Sequence, residues 1–364
     1  MPSLAGGGAE RQLTYLAKEL VQTGCEVHVA YLHGGPNLKR LEETGATLHA
    51  VKALGNYDPL ILARLLTTIR EVNPDVVQCW LLQMEVLGGL ASMLTRTPWV
   101  FTERSSEQAY PASFKARLRL RMGLMATVIV PNSEGGERYW REQARGDVRC
   151  RVIRNGLPLE EIDGAPRATI EEAGIGPGER LVLNAGRLGP EKNLEAFVRA
   201  IRLIIARYPA RAICCGDGPL RQRVAELVAE MGLSDRIRMV GYAPNLWSFM
   251  KRADVTVSVS WFEGTPNVVL EAMACGCPLV VSDIAAHREL LDEQAAIFVD
   301  PRDPQGIADA IGEVLGDPEA AANRARVARD RVERYSMSAI AREYADLYQE
   351  LAASRERRLT RVVL

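Results

Sequence analysis

The chain has 364 residues, of which 47% are hydrophobic and 25% charged, a composition typical of a globular protein with two domains. Its 45 basic and 46 acidic residues leave a net charge of −1, which excludes a general electrostatic attraction to nucleic acid. Seven cysteines without a CxxC pair, four histidines and no run of 18 apolar residues predict a reduced, cytoplasmic protein with no metal site and no membrane-spanning helix. The start MPSLAGGGAER also lacks the order of a secretory signal.

The first half of the chain alternates short apolar runs with amphipathic stretches, as in CEVHVAYL, PLILARLLTTIREV, PDVVQCWLL and PWVFTE. This order is typical of β-α units that form a parallel sheet. Ahead of them lie three glycines, Gly6, Gly7 and Gly8, at the start of a helical spacing of leucines. Glycine lets the backbone approach a phosphate or sugar closely, and it serves a turn just as commonly.

A basic segment follows in SFKARLRLRMG, in which four cations alternate with apolar side chains. The cations are Lys115, Arg117, Arg119 and Arg121. A helix would arrange them in two stripes with leucine and methionine between, which is typical of segments that bind an anionic membrane surface. A solvated helix that packs one apolar edge is an equally good interpretation.

The alternation pauses in LPLEEIDGAPRATIEEAGIGPGE, and a second β-α series runs from RLVLNAGRL to PLVVSD. We therefore predict an N-terminal domain over 1–160, a C-terminal domain over 161–335, and a helix with a basic tail over 336–364. In two doubly wound α/β halves, ligands bind at the carboxyl ends of the strands, so the cleft between the halves is the expected active site. In the last segment, four apolar side chains recur at helical spacing: Ile340, Tyr344, Leu347 and Leu351.

The segment LVLNAGRLGPEKNLEAFVRAI predicts a strand, a glycine-containing turn and an amphipathic helix. Arg187 and Lys192 lie in the turn, where both cations and the helix N-terminus would attract a diphosphate. From the spacing alone, two surface charges are an equally good interpretation. Gly216 and Gly218 follow the next predicted strand, and they fit a turn slightly better than a ligand contact.

Glu263 and Glu271 lie eight residues apart in EGTPNVVLEAMACGCPLVVSD, one before a predicted helix and one inside it. Thr265 can cap this helix, with Pro266 in its first turn. Three backbone N–H groups would then be free at the helix start, those of Asn267, Val268 and Val269. Such a helix end can bind an anion or a hydroxyl group. Both glutamates can face the end of the sheet, although an arbitrary pair of glutamates is far more often simply solvated.

These segments resemble the E-x7-E frame EGxPNVxLEAMAxGxPxVxSD and the GRLxxEKN pattern of the retaining group-1 (family 4) glycosyltransferases. The resemblance implies a GT-B fold, in which two Rossmann-like domains face a central cleft and a C-terminal helix packs back on the N-domain. It also implies a nucleotide-sugar donor, in the first place a UDP-sugar, with no cofactor and no metal.

The resemblance assigns roles to individual residues as well. Glu271 would bind the ribose hydroxyls of the donor, and Glu263 would contact the sugar. Arg187 and Lys192 would neutralise the leaving diphosphate. Further donor contacts would come from Gly264, Pro266, Asn267, Val268, Gly216, Gly218, Gly7 and Gly8.

GGGAER resembles the N-domain loop of bacterial polysaccharide and lipid-linked glycan transferases, which implies a glycan or lipid-linked acceptor. In such enzymes the part of the N-domain that contains SFKARLRLRMG faces the bilayer, which implies a peripheral position on the inner face of the membrane. A sheet strand is expected ahead of this loop, where the sequence has only MPSLA. At the place where many relatives carry a histidine, VFTERSS has Glu103 and Arg104. The acceptor-side base is therefore left unassigned, with Glu103 as a candidate. Ser133 and Asn155, in segments that also match, are expected to be structural.

Other classes fit the sequence less well. A Rossmann dehydrogenase would require a G-x-G-x-x-G turn after a strand and an acidic residue about 20 positions on, and the sequence does not have this combination. A GT-A transferase would require a D-x-D metal site, which the sequence lacks. A catalytically silent sugar-nucleotide-binding protein of the same fold remains the alternative.

Overall fold

The computed structural model describes residues 1–104, 113–144 and 146–362, and only the backbone of 354–362. The chain forms two compact units: unit 1 is Met1–Gly156 with Tyr335–Leu364, and unit 2 is Leu157–Arg334. The first boundary thus falls a few residues before the predicted one. The C-terminal segment, which the sequence sets apart, belongs to unit 1.

Unit 1 alternates strands and helices in the order that the hydrophobic pattern predicts. Its strands are β1 (His28–Tyr31), β2 (Thr47–Ala50), β3 (Val77–Trp80), β4 (Trp99–Glu103) and β5 (Val128–Pro131). Its first helices are α1 (Gly8–Gln22), α2 (Asn37–Glu42), α3 (Leu60–Val72), α4 (Leu81–Thr95), α5 (Phe114–Leu124) and α6 (Glu134–Ala144). The strands pair in parallel as two groups, β1-β2 and β3-β4-β5.

A cavity of about 490 Å³ separates these two groups, lined by residues of both β1 and β3. Met1 lines this cavity, and its amino group donates to the Ala30 carbonyl at 2.8 Å. Ser3 forms a parallel β-bridge with His33. Burial lowers the pKa of that amino group to about 6. The strand expected ahead of the glycines is therefore represented, in the described part of unit 1, by a single bridge.

Unit 2 has a single parallel sheet in the order β11-β10-β9-β6-β7-β8. Its strands are β6 (Arg180–Ala185), β7 (Ala210–Cys215), β8 (Ile237–Gly241), β9 (Val255–Ser258), β10 (Leu279–Ser282) and β11 (Ile297–Val299). Its helices are α7 (Leu159–Gly164), α8 (Ile170–Ala173), α9 (Leu194–Ile205), α10 (Arg221–Glu230), α11 (Leu246–Arg252), α12 (Asn267–Ala274), α13 (Ala285–Arg288), α14 (Pro304–Gly316) and α15 (Pro318–Asp330). Apolar residues at helical spacing in α9, such as Phe197 and Ile201, are buried in the core with β7 and β9.

The last helix, α16 (Met337–Val362), packs on α1 within unit 1. The four residues predicted to form its apolar face are all buried: Ile340, Tyr344, Leu347 and Leu351. This confirms that the C-terminal helix packs back on the N-terminal unit. The side chains of the basic tail lie outside the described residues: Arg355, Arg357, Arg358 and Arg361.

A buried ion cluster ties α5 to α4 and β4. The Arg119 guanidinium donates to Glu85 at 2.5 Å and to Glu103 at 2.8 Å, and the Trp140 indole N–H also donates to Glu103 at 3.1 Å. Arg119 is therefore not part of an exposed basic stripe, which corrects the sequence interpretation of α5. Glu103 is 1% exposed, so its position does not suit an acceptor-side base.

Among the described residues, the cluster has two carboxylates for one guanidinium. Burial raises the pKa of Glu85 to about 7 despite the nearby Arg119 charge. In the unfolded chain this carboxyl ionises near 4.5. Its stabilising contribution is therefore complete below about pH 4.5 and is lost as the pH rises through about 7.

Glu85→Gln should remove this pH dependence, because an amide has no proton to lose. Between pH 6 and pH 8 the wild-type chain should lose about 1 kcal/mol more of its unfolding free energy than the variant does. Urea denaturation at both pH values measures the difference. Glu142→Gln, at an exposed position of α6, should behave like the wild type. Identical pH responses of Glu85→Gln and wild type would contradict the assignment.

Candidate active site

The segments that carry the sequence motifs lie at the carboxyl edge of the unit 2 sheet. Because β10, β9, β6 and β7 are parallel neighbours, the turns that follow them meet at the same edge. Ligands of doubly wound sheets bind at this edge. The turn after β6 contains Arg187 and Lys192, and the turn after β9 contains Glu263.

Lys192 and Glu263 form an ion pair, with 2.5 Å between Nζ and Oε1. The Ser260 hydroxyl donates a second hydrogen bond to the same carboxylate at 2.7 Å. Burial alone would raise the pKa of Glu263, but the Lys192 charge and the hydrogen bonds from Lys192 and Ser260 outweigh it and lower this pKa. Glu263 is therefore ionised at neutral pH, and it neutralises Lys192.

Arg187 lies in the same turn, with its side chain 66% exposed. Its guanidinium donates to the Glu191 carboxylate at 3.1 Å and 3.2 Å. The structure thus brings Lys192 next to Glu263, 71 residues further along the chain. It also shows that each predicted diphosphate cation already holds a carboxylate of the protein, which an incoming anion would have to replace.

Glu271 lies in the second turn of α12 and is 3% exposed. The helix begins at Asn267 with Pro266 at the N-cap position, so the predicted cap at Thr265 is wrong by one residue. The Val269 N–H donates to the Pro266 carbonyl at 3.0 Å, which corrects the prediction that this N–H is free. The other predicted donor contacts of this segment are half-buried or, for the proline, buried: Gly264, Asn267, Val268 and Pro266.

Gly216 and Gly218 hold the turn after β7 against the turn after β6. Gly216 has a φ of +138°, and a Cβ there would overlap the Gly186 carbonyl oxygen. A Cβ on Gly218 would come within 2.7 Å of the Leu188 carbonyl oxygen. Because real Cβ contacts essentially never come this close, only glycine allows the two backbones to approach. Both glycines thus have the turn function that their chemistry predicts.

The predicted N-terminal donor loop lies in unit 1. Gly8 is the first residue of α1 and Gly7 is its N-cap. A Cβ on Gly7 would overlap the Glu10 carboxylate, which accepts a hydrogen bond from the Ser3 hydroxyl at 3.2 Å. Inside unit 1, a carboxylate of the first turn of α1 therefore lies close to this glycine.

His287 is a buried residue near the site that the sequence motifs do not indicate. Its Nδ1 lies 2.8 Å from the Ser282 carbonyl oxygen, and the Ser282 hydroxyl donates to the Ser260 carbonyl at 2.7 Å. Burial lowers the pKa of His287, so the neutral ring donates from Nδ1. This chain of hydrogen bonds ends at Glu263 through Ser260. The only sequence signal would have been a histidine soon after a predicted strand.

Within residues 1–104, 113–144 and 146–362, no three histidine, cysteine, aspartate or glutamate residues are grouped so that they could hold a metal ion. Over the same ranges, no helix is both long and apolar enough to cross a membrane. All seven cysteines are free thiols, and burial raises the pKa of Cys214 to about 12.

Comparison with known proteins assigns the class. Residues 6–161 match the model of Glycosyltransferase Family 4, and residues 179–317 match that of Glycosyl transferases group 1. An uncharacterized glycosyltransferase of Methanocaldococcus jannaschii is 32% identical over 94% of this chain and 94% of its own. The chain therefore belongs to the group-1 glycosyltransferases.

Two further comparisons add a relative and a solved structure. The lipopolysaccharide core biosynthesis glycosyltransferase LpsD of Rhizobium meliloti is 26% identical over 96% of this chain and 97% of its own. The crystal structure of Anabaena HepE in complex with UDP-glucose matches with a TM-score of 0.84 and 20% identity, over 96% of this chain and 98% of that one. The likeness confirms the predicted fold class, GT-B, with two Rossmann-like domains.

Gly216→Ala should destabilise unit 2, because the added methyl group cannot fit against Gly186. We expect a loss of at least about 3 kcal/mol in unfolding free energy, from strain and overpacking together. Gly232→Ala is the matched control, since its φ is +67° and nothing lies within 4 Å of its Cβ position. That variant should lose only about 1 kcal/mol. Urea denaturation compares the two, and equal losses would show that the close approach is not a constraint.

Proposed function

We propose that the protein is a retaining, metal-independent glycosyltransferase that moves a hexosyl or N-acetylhexosaminyl group from a UDP-sugar to a glycan or lipid-linked acceptor. The observation that carries the proposal is the ionised Lys192–Glu263 pair at the carboxyl edge of the unit 2 sheet. The UDP-glucose complex of HepE, which has the same fold, supports the choice of donor. The lipopolysaccharide core biosynthesis named for LpsD supports an acceptor in cell-surface glycan synthesis.

In this proposal Lys192 and Arg187 bind the donor diphosphate by exchanging their carboxylate partners for phosphate oxygens. Negative charge grows on the diphosphate as it leaves the sugar, and two fixed cations stabilise that charge without a metal. Once Lys192 turns to the phosphate, Glu263 can accept hydrogen bonds from the sugar hydroxyls. The hydrogen bond from the Ser260 hydroxyl remains on Glu263 and favours the ionised form that this requires.

Glu271 binds the ribose in the same proposal. A carboxylate has two oxygens that can accept hydrogen bonds from the two ribose hydroxyls, and α12 holds this side chain at the sheet edge. Backbone groups of the segment before and at the start of α12 contact the sugar or the phosphate. The remaining donor contacts are assigned to four glycines: Gly7, Gly8, Gly216 and Gly218.

The alternative is a catalytically silent protein of the same fold that binds a sugar nucleotide. It predicts binding of UDP without any cleavage of the UDP-sugar bond. The presence of both cations and both glutamates favours the enzyme. A donor-hydrolysis assay separates the two functions.

Lys192→Ala and Arg187→Ala should each lower turnover about 10- to 1000-fold, the usual effect of removing a charge that stabilises a transition state. UDP release from a panel of UDP-sugars, measured in EDTA, is the readout. Arg199→Ala is the control, because Arg199 is also an exposed arginine of unit 2 paired four residues away, with Glu195.

Unchanged rates of UDP release in both Lys192→Ala and Arg187→Ala would show that these residues are surface charges without a role in catalysis. Loss of wild-type activity in EDTA, restored by magnesium or manganese, would contradict metal independence. UDP binding without any turnover of the panel would favour the silent protein.

A lipid-linked acceptor requires contact with a membrane, and we propose that α5 provides it on the inner face. Three of the four predicted cations are exposed there: Lys115, Arg117 and Arg121. Phe114, 78% exposed, precedes them, and Leu124 and Met125 follow at 40% and 48%. Exposed apolar and basic side chains on one segment are typical of a surface that binds anionic lipid.

Replacing Lys115, Arg117 and Arg121 together with Gln should weaken binding to anionic vesicles about 100-fold, at roughly 1 kcal/mol for each cation near the surface. Vesicle sedimentation with and without anionic lipid, at low and high salt, measures it. The matched control replaces three exposed arginines of unit 2 with Gln: Arg199, Arg223 and Arg302. Equal partitioning of the α5 variant and the wild type would favour a soluble acceptor.

A further inference from the structure

Two charged residues at the end of β4 point to opposite faces of the unit 1 sheet. Glu103, the last residue of the strand, contacts Arg119 and Trp140. Arg104, the next residue, contacts a different set of side chains on the other face: Trp80, Asn155 and Tyr344. This alternation follows from the period of an extended strand. It gives the two side chains different direct partners.

The hydrogen-bond and ring partners of Arg104 are all neutral, although its charge also acts at longer range on the Glu85 carboxyl. Its Nη1 donates to the Asn155 amide oxygen at 2.5 Å and its Nη2 to the Tyr344 hydroxyl at 2.9 Å, while the guanidinium carbon lies 4.0 Å from the centre of the Trp80 ring. In the described part of the chain no carboxylate pairs with Arg104, and its buried Nε makes no hydrogen bond. Arg119, by contrast, holds two carboxylates.

A guanidinium fixed in this way is prepared for an anion. Trp80, Asn155 and Tyr344 are each at most 3% exposed, so they hold the group in one orientation. Asn155 is itself positioned by its neighbour Gly156, which exchanges two hydrogen bonds with Gln12 of α1 at 2.8 Å and 2.9 Å. A half-buried cation without a counter-ion costs free energy that a bound anion would recover.

The location also suits a ligand. β3, β4 and β5 are parallel, and Trp80 and Arg104 lie at their carboxyl ends, the edge at which such sheets bind ligands. The planar guanidinium matches the geometry of phosphate oxygens better than an ammonium group does. Unit 1 therefore contains a positively charged group that could bind an anion, in addition to Arg187 and Lys192 of unit 2.

We propose that Arg104 binds a phosphate group of the acceptor, the phosphate or diphosphate that joins a sugar to its carrier lipid. This inference rests on the proposed function, because it assigns the anion to the acceptor and not to the donor. No bond is made or broken at Arg104, which is a binding residue in this scheme. A purely structural clamp between β4 and α16 is the competing explanation.

Calorimetry on the full chain in EDTA, saturated with UDP so that the unit 2 cations are occupied, tests the proposal. The probes are a C15 isoprenyl diphosphate, the isoprenol of the same length and inorganic pyrophosphate. We expect the isoprenyl diphosphate to bind, the isoprenol to bind at least 10-fold more weakly, and pyrophosphate to bind more weakly than the lipid form. Pyrophosphate that binds as tightly as the isoprenyl diphosphate would overturn the assignment to a lipid-linked acceptor.

Arg104→Gln should weaken isoprenyl diphosphate binding at least 10-fold, and Arg104→Lys less. Asn155→Asp gives the sharper test, because it places a carboxylate 2.5 Å from the Arg104 guanidinium, where it competes with the ligand. The proposal expects loss of diphosphate binding in Asn155→Asp with an unchanged or raised Tm. Arg141→Gln, an exposed arginine of unit 1 paired with Glu137, is the control and should bind as the wild type does.

A structural clamp makes different predictions: Arg104→Gln would lower Tm, and neither variant would change diphosphate affinity in the chain that remains folded. That result overturns the proposal. UDP binding is measured in every sample. A wild-type chain that binds UDP but not the isoprenyl diphosphate overturns this inference alone, whereas one that binds the diphosphate through Arg104 but neither binds nor cleaves any UDP-sugar counts against the proposed function.

Discussion

The ion pair between Lys192 and Glu263 constrains how the site of unit 2 can work, because it leaves both charges satisfied before any ligand arrives. Burying either charge alone would cost several kcal/mol, whereas the pair holds each in place by mutual attraction. In the proposed function, a donor must satisfy both charges at once, with an anion for Lys192 and hydroxyl groups for Glu263. A nucleotide sugar has its diphosphate directly next to such hydroxyls. Free phosphate or a neutral sugar would leave one of the two charges without a partner.

The Lys192–Glu263 pair forms only because the turns after β6 and β9 lie close together at the sheet edge. Hydrogen bonds between backbone groups of the turns after β6 and β7, such as that from Leu188 N–H to the Asp217 carbonyl at 2.9 Å, hold the chain that bears Lys192. Gly216 allows this approach because it has no Cβ. On the other side, the Trp261 N–H donates to the Glu191 carbonyl at 2.8 Å, which links the turn after β9 to the segment with Lys192. The glycines thus contribute to the site through the backbone.

Sequence motifs predicted those parts of the site whose geometry is local. Arg187, Lys192 and Glu263 could be predicted to lie at one edge because each follows the end of an apolar strand, and the parallel sheet brings such ends together. Their roles, and that of Glu271, stay predictions. The cap of α12 was misplaced by one residue, since both Thr265 and Pro266 suit a helix start and local chemistry does not decide between them. The sequence did not indicate His287, because its place near the candidate site depends on burial and on contacts with Ser282, and no motif marks these features.

Long-range pairing accounts for the other difference between sequence and structure, in α5 and β4. By spacing alone, Arg119 belongs with Lys115 on an exposed stripe, but Glu85 and Glu103 lie 34 and 16 residues away in sequence and reach it only in the folded unit. Glu103 pairs with Arg119 on one face of the strand, and Arg104 faces the other side, where its direct partners among the described residues are neutral. The buried cluster and the unneutralised guanidinium are thus two consequences of one alternation along β4. The pattern of charges along the sequence cannot distinguish Arg119 from Arg104, because it does not show which face of the folded unit each side chain occupies.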